Sequence, residues 1–203
     1  AIFAIALTTL LFTSLFTILM SLNESYETYN FRQVGGYSDG TFKELSEEQV
    51  EKISAHPGIR EAGERIVCGF CTTGVFGKVP AEVSYMDKNC TKWSYAAQTT
   101  GREPEKSNEI AMDTVALKLL GVTPELGAKV TIEYQAGDKT NEGFQVTDTF
   151  ILSGYWEYDD LMPVHYINVS KDYVKSVEEK WVASGEKAFR TDLNVMLPSK
   201  LNI

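Results

Sequence analysis

The chain has 203 residues, a formal net charge of −9 and 43% hydrophobic residues. Because so acidic a chain has few cations to neutralise phosphates, its composition argues against nucleic-acid binding and against tight docking on anionic lipid headgroups. Aromatic residues make up 11% of the sequence, which excludes a disordered polypeptide. The part that follows the first apolar segment has about 180 residues, enough to bury a hydrophobic core.

Residues 1–22 contain no charged side chain, and Glu24 is the first ionisable residue of the chain. A helix of about 22 residues is about 33 Å long, which matches the hydrocarbon core of a bilayer. Such a helix also satisfies its own backbone N–H and C=O groups without water. The sequence therefore predicts a transmembrane helix at 1–22, followed by a water-exposed domain at 23–203.

Two other interpretations of segment 1–22 are weaker. A cleaved signal peptide needs basic residues at its start and small residues at a cleavage site, and neither is evident. A buried core helix needs a polar face, which this segment does not have. Because the chain starts at Ala1 and not at Met, we expect it to be a piece of a longer protein, and the sequence leaves open whether the domain is complete at its C-terminus.

The region after the apolar segment begins with aromatic residues. Tyr26, Tyr29 and Phe31 fall where an interfacial aromatic belt would sit, or else they begin the soluble core. Residues 31–37 predict a short strand that runs into glycine-rich turns.

A capping box at Ser46 to Gln49 predicts the start of a helix in the soluble part. In this helix Val50 and Ile53 are expected to face inward. The helix should end at residues 56–58, where a histidine precedes proline and glycine.

The remaining predicted elements mix strands and helices without a sequence repeat or a long linker. They are strands at 59–70 and 78–86, a short helix at 89–97, a strand at 108–112, a helix at 114–120, strands at 130–134, 144–155 and 164–169, a helix after Ser170, and a strand at 192–197. The predicted fold class is therefore α+β, with mixed sheets and packed helices in one domain or two lobes.

Three of these elements carry more detailed predictions. The helix at 114–120 is capped by Asp113, ends at Gly121, and should face inward with Val115, Leu119 and Leu120. The strands at 130–134 and 144–155 form a hairpin whose turn passes through Gly137, Asp138, Asn141 and Gly143. The helix after Ser170 has one apolar face, formed by Tyr173, Val174, Val177 and Trp181.

The three cysteines, Cys68, Cys71 and Cys90, are too few and too odd in number for a disulfide framework. Cys68 and Cys71 have C-x-x-C spacing, but the residues that follow are a poor helix start, unlike a thioredoxin-type site. A zinc site needs four ligands, and the chain has only two histidines to complete one. Four interpretations stay open: unremarkable small residues, a disulfide, a metal site and a redox pair.

No motif in the sequence carries catalytic chemistry. There is no phosphate-binding loop, no nucleophile elbow and no zinc-protease histidine pair. His56 is interpreted as a helix-end residue and His165 as a packed or edge strand residue. An acidic cluster of Glu157, Asp159 and Asp160 is interpreted as an exposed loop, with a cation site or an acid–base pair as the alternative. We therefore predict that the chain is not an enzyme, and we assign no catalytic, cofactor-binding or metal residue.

The order of several short motifs resembles the first membrane helix and the large extracytoplasmic domain of FtsX/MacB-type ABC transporter permeases, in the version of Gram-positive bacteria. The motifs are Gly101-Arg102-Glu103-Pro104 with Asn108-Glu109-Ile110-Ala111-Met112, then Leu119-Leu120-Gly121, Leu126-Gly127-Ala128-Lys129-Val130-Thr131 and Phe150-Ile151-Leu152-Ser153-Gly154-Tyr155. Arg32 to Tyr37, with the helix after Ser46, is also similar. Each motif is weak alone, whereas their order is fairly specific.

The resemblance implies a permease with four membrane helices and a location in the cell membrane, with 23–203 outside. It implies a cytoplasmic ABC ATPase as partner, pairing with a like or unlike permease, and export or handling of a peptide, lipoprotein or drug. No cofactor is implied for this part of the permease. The alternative is a single-pass membrane sensor or binding module with an extracellular domain.

Five hydroxyl side chains in the apolar segment leave two alternatives open. Either these side chains form packing surfaces against further membrane helices, or their hydroxyls bond to their own backbone within lipid. These residues are Thr8, Thr9, Thr13, Ser14 and Thr17.

Overall fold

The computed structural model describes residues 2–137 and 144–198, and it confirms the predicted α+β fold class. The helices are α1 (Ile2–Gln33), α2 (Glu47–Ser54), a 3₁₀ turn (Gly74–Phe76), α3 (Lys88–Trp93), α4 (Thr114–Leu119) and α5 (Lys171–Ala183). The strands are β1 (Gly40–Phe42), β2 (Glu61–Cys71), β3 (Ala81–Met86), β4 (Thr100–Gly101), β5 (Glu109–Asp113), β6 (Lys129–Ala136), β7 (Gln145–Trp156), β8 (His165–Val169) and β9 (Arg190–Met196).

Helix α1 continues past the apolar segment, so the strand predicted at 31–37 is wrong. Once a helix has started, each further residue adds a hydrogen bond at low cost, and here the backbone N–H of Val34 still donates to Asn30 O at 3.0 Å. The helix ends at Gly35, which takes a left-handed conformation with φ of +84°. Gly36 N then donates to Phe31 O at 2.8 Å and closes the C-terminal turn.

The apolar part of α1 lies away from the domain. None of its residues is buried, and its mean hydropathy reaches 2.3 over 18 residues, so by length and composition it can cross a membrane. This exposure excludes the core-helix interpretation. Thr8, Thr9, Thr13 and Thr17 each donate their hydroxyl to the carbonyl one turn back, at 2.8–2.9 Å. These four hydroxyls are therefore satisfied by their own backbone.

The strand pairings of the sheet close into a ring of six strands, β2–β3–β8–β5–β7–β6 and back to β2. The β3–β8 and β5–β7 pairs are parallel, and the other four are antiparallel. Strand β9 extends the sheet along the first half of β2, with β1 at its outer edge. The ring encloses an apolar core.

The ring closes at Gly69, which sits beside a bulge in β2 and pairs with Ala136 of β6. A Cβ atom at Gly69 would lie 2.2 Å from the carbonyl oxygen of Gln135, so a larger residue cannot fit without moving backbone. This glycine thus allows the close approach of β2 and β6.

Helices α4 and α5 cover this core differently. Helix α5 buries the four predicted residues, from Tyr173 to Trp181. The prediction for helix α4 is right only at Leu120, which is half-buried and packs against the core. Val115 and Leu119 are exposed, whereas Ala116 and Leu117, close to the buried cap Asp113, are fully buried.

The local signals at helix ends are confirmed. The capping box at Ser46 is present, with Val50 and Ile53 half-buried, and Asp113 and Ser170 cap α4 and α5. Gly121 ends α4 with φ of +72°. The predicted hairpin of β6 and β7 is also confirmed. Of its predicted turn, Gly137 is described, whereas Asp138, Asn141 and Gly143 lie outside the described residues.

Candidate functional site at the joint between the apolar helix and the domain

The last turn of α1 is fixed to the domain by an ion pair. Arg32 Nε donates to the carboxylate of Asp159, and the Arg32 guanidinium lies 4.4 Å above the ring centroid of Tyr95. The Arg32 and Asp159 side chains are only 20% and 25% exposed. A charge-assisted hydrogen bond in such a partly buried place is stronger than one at an open surface.

Asp159 belongs to a small turn, residues 157–162, which we call the docking loop. Within it, Asp159 accepts hydrogen bonds from Leu161 N at 3.1 Å and from Met162 N at 2.9 Å. Tyr158 donates its hydroxyl to Met162 O at 2.6 Å. Gln33 Nε2 of α1 donates to Leu161 O at 2.9 Å. The docking loop is therefore internally bonded and holds α1 at two consecutive residues.

The chain just after α1 makes a second set of contacts. Tyr166 donates its hydroxyl to Gly35 O at 3.4 Å, and Tyr37 N donates to Trp93 O at 3.2 Å. A Cβ atom at Gly36 would lie 3.0 Å from the carbonyl oxygen of Trp93. The paired glycines are thus needed for close packing of this segment on the domain, and the predicted glycine-rich turn is confirmed.

The backbone of Tyr95, whose ring contacts both Arg32 and Tyr37, is strained. Its φ of +56° lies in the left-handed region, which bulky residues rarely adopt. Its ring packs edge-on against Tyr37 at 5.5 Å and carries the Arg32 guanidinium on its face. Such strain persists only when surrounding contacts fix the residue, and it is common at sites that change conformation.

Beneath the joint lies a buried ionic cluster of Arg65, Glu82, Arg190 and Asp192. Asp192 is fully buried; its Oδ2 accepts a hydrogen bond from Arg65 Nη2 at 3.1 Å and forms an ion pair with Arg190 Nε at 3.2 Å. Arg65 also lies 3.6 Å from the Glu82 carboxylate. Burial raises the pKa of Tyr166, which borders this cluster, so its hydroxyl stays protonated and can donate to Gly35. The ion pairs of this cluster thus connect strands β2, β3 and β9 beneath the end of α1.

The cysteines do not form a shared site. Cys68 and Cys71 lie on the same strand, whose rise of about 3.3 Å per residue separates their Cα atoms by about 10 Å, beyond the reach of a disulfide. Burial raises the pKa of each of the three thiols to about 12, so they stay protonated. Within 2–137 and 144–198, no cluster of three His, Cys, Asp or Glu residues is placed to hold a metal ion.

The two histidines have separate places. His56 is exposed at the end of α2, where its Nδ1 accepts a hydrogen bond from Gly58 N at 3.0 Å, as the helix-end interpretation predicted. His165 is 2% exposed at the start of β8 and pairs with Asp113. Of the acidic cluster, Glu157 and Asp160 are exposed, whereas Asp159 is the half-buried anchor of α1, a role that sequence reasoning missed. Arg32 is the signal available in the sequence, because the first basic residue of an acidic chain favours a carboxylate partner.

The motif around Arg102 is a structural clamp. The Arg102 guanidinium makes two parallel bonds to the Glu109 carboxylate, at 2.7 and 2.8 Å. The backbone N–H groups of Glu105 and Lys106 donate to the same carboxylate. Arg102 above all, and these N–H groups with it, lower the pKa of Glu109 to about 2. The clamp holds the loop before β5.

Glu109→Gln should destabilise the protein by about 1–3 kcal/mol, because a neutral amide cannot replace the bidentate carboxylate. The Glu109 pKa is lower in the folded than in the unfolded state, so its contribution is present above about pH 4.5 and lost as the pH falls towards 2. The difference in melting temperature between pH 7 and pH 3 should be smaller in the variant than in the parent protein. An equal difference in both proteins would contradict this role.

A groove of about 610 Å³ opens along the edge of β2, between the part of β2 that pairs with β9 and the part that pairs with β6. Its walls are aromatic and charged, with Phe70, Trp181, Phe189, Lys187 and Arg190 among the lining residues. Arg190 also belongs to the ionic cluster, so the groove borders the cluster that lies beneath the joint.

No family model matches the chain, and no curated protein matches it. Among solved structures, the extracellular domain of the noncanonic ABC-type transporter YknZ from Gram-positive bacteria is similar, with a TM-score of 0.44 and 12% identity over 77% of this chain and 74% of that chain. A domain described as part of a permease protein from Porphyromonas gingivalis has a TM-score of 0.38 and 8% identity over 83% and 64%.

Proposed function

We propose that this chain is the first membrane helix and the extracytoplasmic domain of an FtsX/MacB-type ABC transporter permease, placed in the cell membrane with residues 23–203 outside. The order of motifs between Gly101 and Tyr155 supports the family, and the uncharged segment of α1 supports the membrane. One observation carries the mechanism: α1 is a single helix from Ile2 to the docking loop, with no break between its apolar part and the domain.

The length of α1 sets the position of the joint. Its 32 residues span about 48 Å, of which residues 1–22 account for the hydrocarbon core. Residues 23–33 then raise the joint about 16 Å above the edge of that core. Tyr26 and Tyr29, both exposed, fall in the interfacial layer between them. The domain therefore stands clear of the membrane and contacts it through α1.

A helix without a hinge transmits a shift or rotation from one end to the other. In this proposal a cytoplasmic ABC ATPase binds and hydrolyses ATP, and the resulting movement of the membrane helices reaches the docking loop through Arg32 and Gln33. This chain takes no part in the chemistry, and its role is mechanical. The transported or handled substrate belongs to the peptide, lipoprotein or drug class, and permeases of this type act in pairs.

The full coding sequence and its neighbours test this proposal directly. It should encode three more apolar segments of about 20 residues, and an ATPase gene should lie beside it. The full permease should co-purify with that ATPase in detergent, and a Walker-motif variant of the ATPase should abolish export. A coding sequence that continues only into a cytoplasmic signalling domain would instead establish the single-pass sensor.

A further inference from the structure

The inner side of the docking loop packs on a buried histidine. The imidazole of His165 is 2% exposed, and the ring of Tyr158 lies over it with 4.3 Å between the two centroids. Phe76 approaches the imidazole edge-on at 5.9 Å. Asp159 and Leu161 of the same loop bind α1 on its outer side. The side chain of Tyr158 therefore lies between the imidazole and the contacts with α1.

Asp113 fixes the imidazole from below. Its Oδ2 lies 2.8 Å from His165 Nδ1, and its Oδ1 accepts the hydrogen bond of Ala116 N at 2.7 Å as the cap of α4. Asp113 is fully buried, and its two oxygens are both engaged. The partner of His165 is therefore held in place by a helix terminus, whereas Tyr158 on the other side of the imidazole belongs to the docking loop.

The charged groups of the docking loop near Tyr158, the residue that covers the imidazole, are negative. They are the carboxylates of Asp159 and Asp160, together with Glu157, which accepts a hydrogen bond from the first residue of α4 at 2.9 Å. Arg32, the cation at the end of α1, is paired with Asp159. The 3₁₀ turn that packs against the imidazole contributes an aromatic ring and no titratable group.

We propose that His165 is a proton sensor which tightens the docking loop on α1 when the outside medium becomes acidic. Protonation places a positive charge beside the Asp113 carboxylate and against the face of the Tyr158 ring. The face of an aromatic ring attracts a cation. A firmer Tyr158 orders the docking loop, and the ordered loop holds Arg32 and Gln33 more closely.

This inference rests on the proposed function only in placing the docking loop outside the cell. It is tested by a conformational measurement on the joint, which does not require transport. Failure of the permease proposal in a co-purification experiment would leave the result of this measurement unchanged.

The test uses spin labels on the full chain in lipid nanodiscs. Cysteines introduced at the exposed positions Glu27 on α1 and Lys118 on α4 accept nitroxides, while the native cysteines are at most 3% exposed. Distance distributions between the two labels are measured from pH 8 to pH 5, the range in which histidine generally changes charge. We expect the distribution to narrow as the pH falls, because the joint becomes more ordered.

The chain supplies a matched control, because it contains only two histidines. His165→Asn should lose the pH dependence, and His56→Asn, at the exposed end of α2, should keep it. Burial raises the pKa of Asp87 and of Glu103, which are unchanged in both variants. A transition that persists in His165→Asn would belong to such carboxyl groups and would overturn the proposal.

Two further measurements keep the test decisive even if His165→Asn does not fold. Tyr158→Leu keeps His165 but removes the ring above it, and it should abolish the narrowing as His165→Asn does. The labelled chain with both histidines intact is itself decisive. A distance distribution that stays the same from pH 8 to pH 5 in that protein overturns the proposal without any variant.

Discussion

Asp159→Arg should release α1 from the docking loop, because it replaces the carboxylate that binds Arg32 with a second cation. Hydrogen bonds between charged partners in partly buried places contribute about 1.5–3 kcal/mol, so docking should weaken roughly 10- to 100-fold. The distance distribution between labels at Glu27 and Lys118 should broaden as the domain moves on the remaining contacts of Gly35 and Tyr37. In cells, the proposed coupling predicts a loss of export of similar size.

The docking loop provides the control for this change. Asp160→Arg alters the charge of the neighbouring residue, which is exposed, and should leave the distance distribution unchanged. Arg32→Asp combined with Asp159→Arg restores opposite charges in reversed order and should recover part of the narrow distribution. If Asp160→Arg broadens it as much as Asp159→Arg does, general charge at the loop and not the pair with Arg32 controls docking.

The N-terminal ends of α2, α4 and α5 were predictable from the sequence because their determinants lie within four residues. The capping box at Ser46 and the caps at Asp113 and Ser170 each join a side chain to a backbone N–H three residues later. The apolar face of α5 followed from its periodicity in the same way. The hairpin of β6 and β7 was predictable because the two strands follow each other closely in the sequence.

The joint was not predictable, because its partners are far apart in the chain. Arg32 and Asp159 are separated by 127 residues, and no local pattern reports which carboxylate a cation will meet. The end of α1 was placed too early, since the signal for its end is Gly35 and not the change from apolar to polar residues. The ring closure at Gly69 depends likewise on β2 and β6, which are distant in sequence.

Arg65→Met should cause the largest loss of stability, because it leaves the buried Glu82 carboxylate without this cation and removes one of two from Asp192. Breaking a buried ion pair on one side costs about 3–5 kcal/mol, since the remaining charge has lost its solvent and its partner. For a domain of this size the melting temperature should fall by about 6–20 °C. Near-ultraviolet circular dichroism reports this directly, because all three tryptophans lie in the domain.

Arg60→Met is the matched control, because Arg60 pairs with Glu61 at 3.4 Å while both side chains are about half exposed. An exposed pair contributes less than about 1 kcal/mol, so this variant should melt close to the parent protein. Adding Glu82→Gln to Arg65→Met removes the stranded negative charge and should recover part of the loss. If that addition recovers nothing, the cost of Arg65→Met comes from lost packing of the long side chain, and the ionic cluster does not hold the three strands beneath the joint.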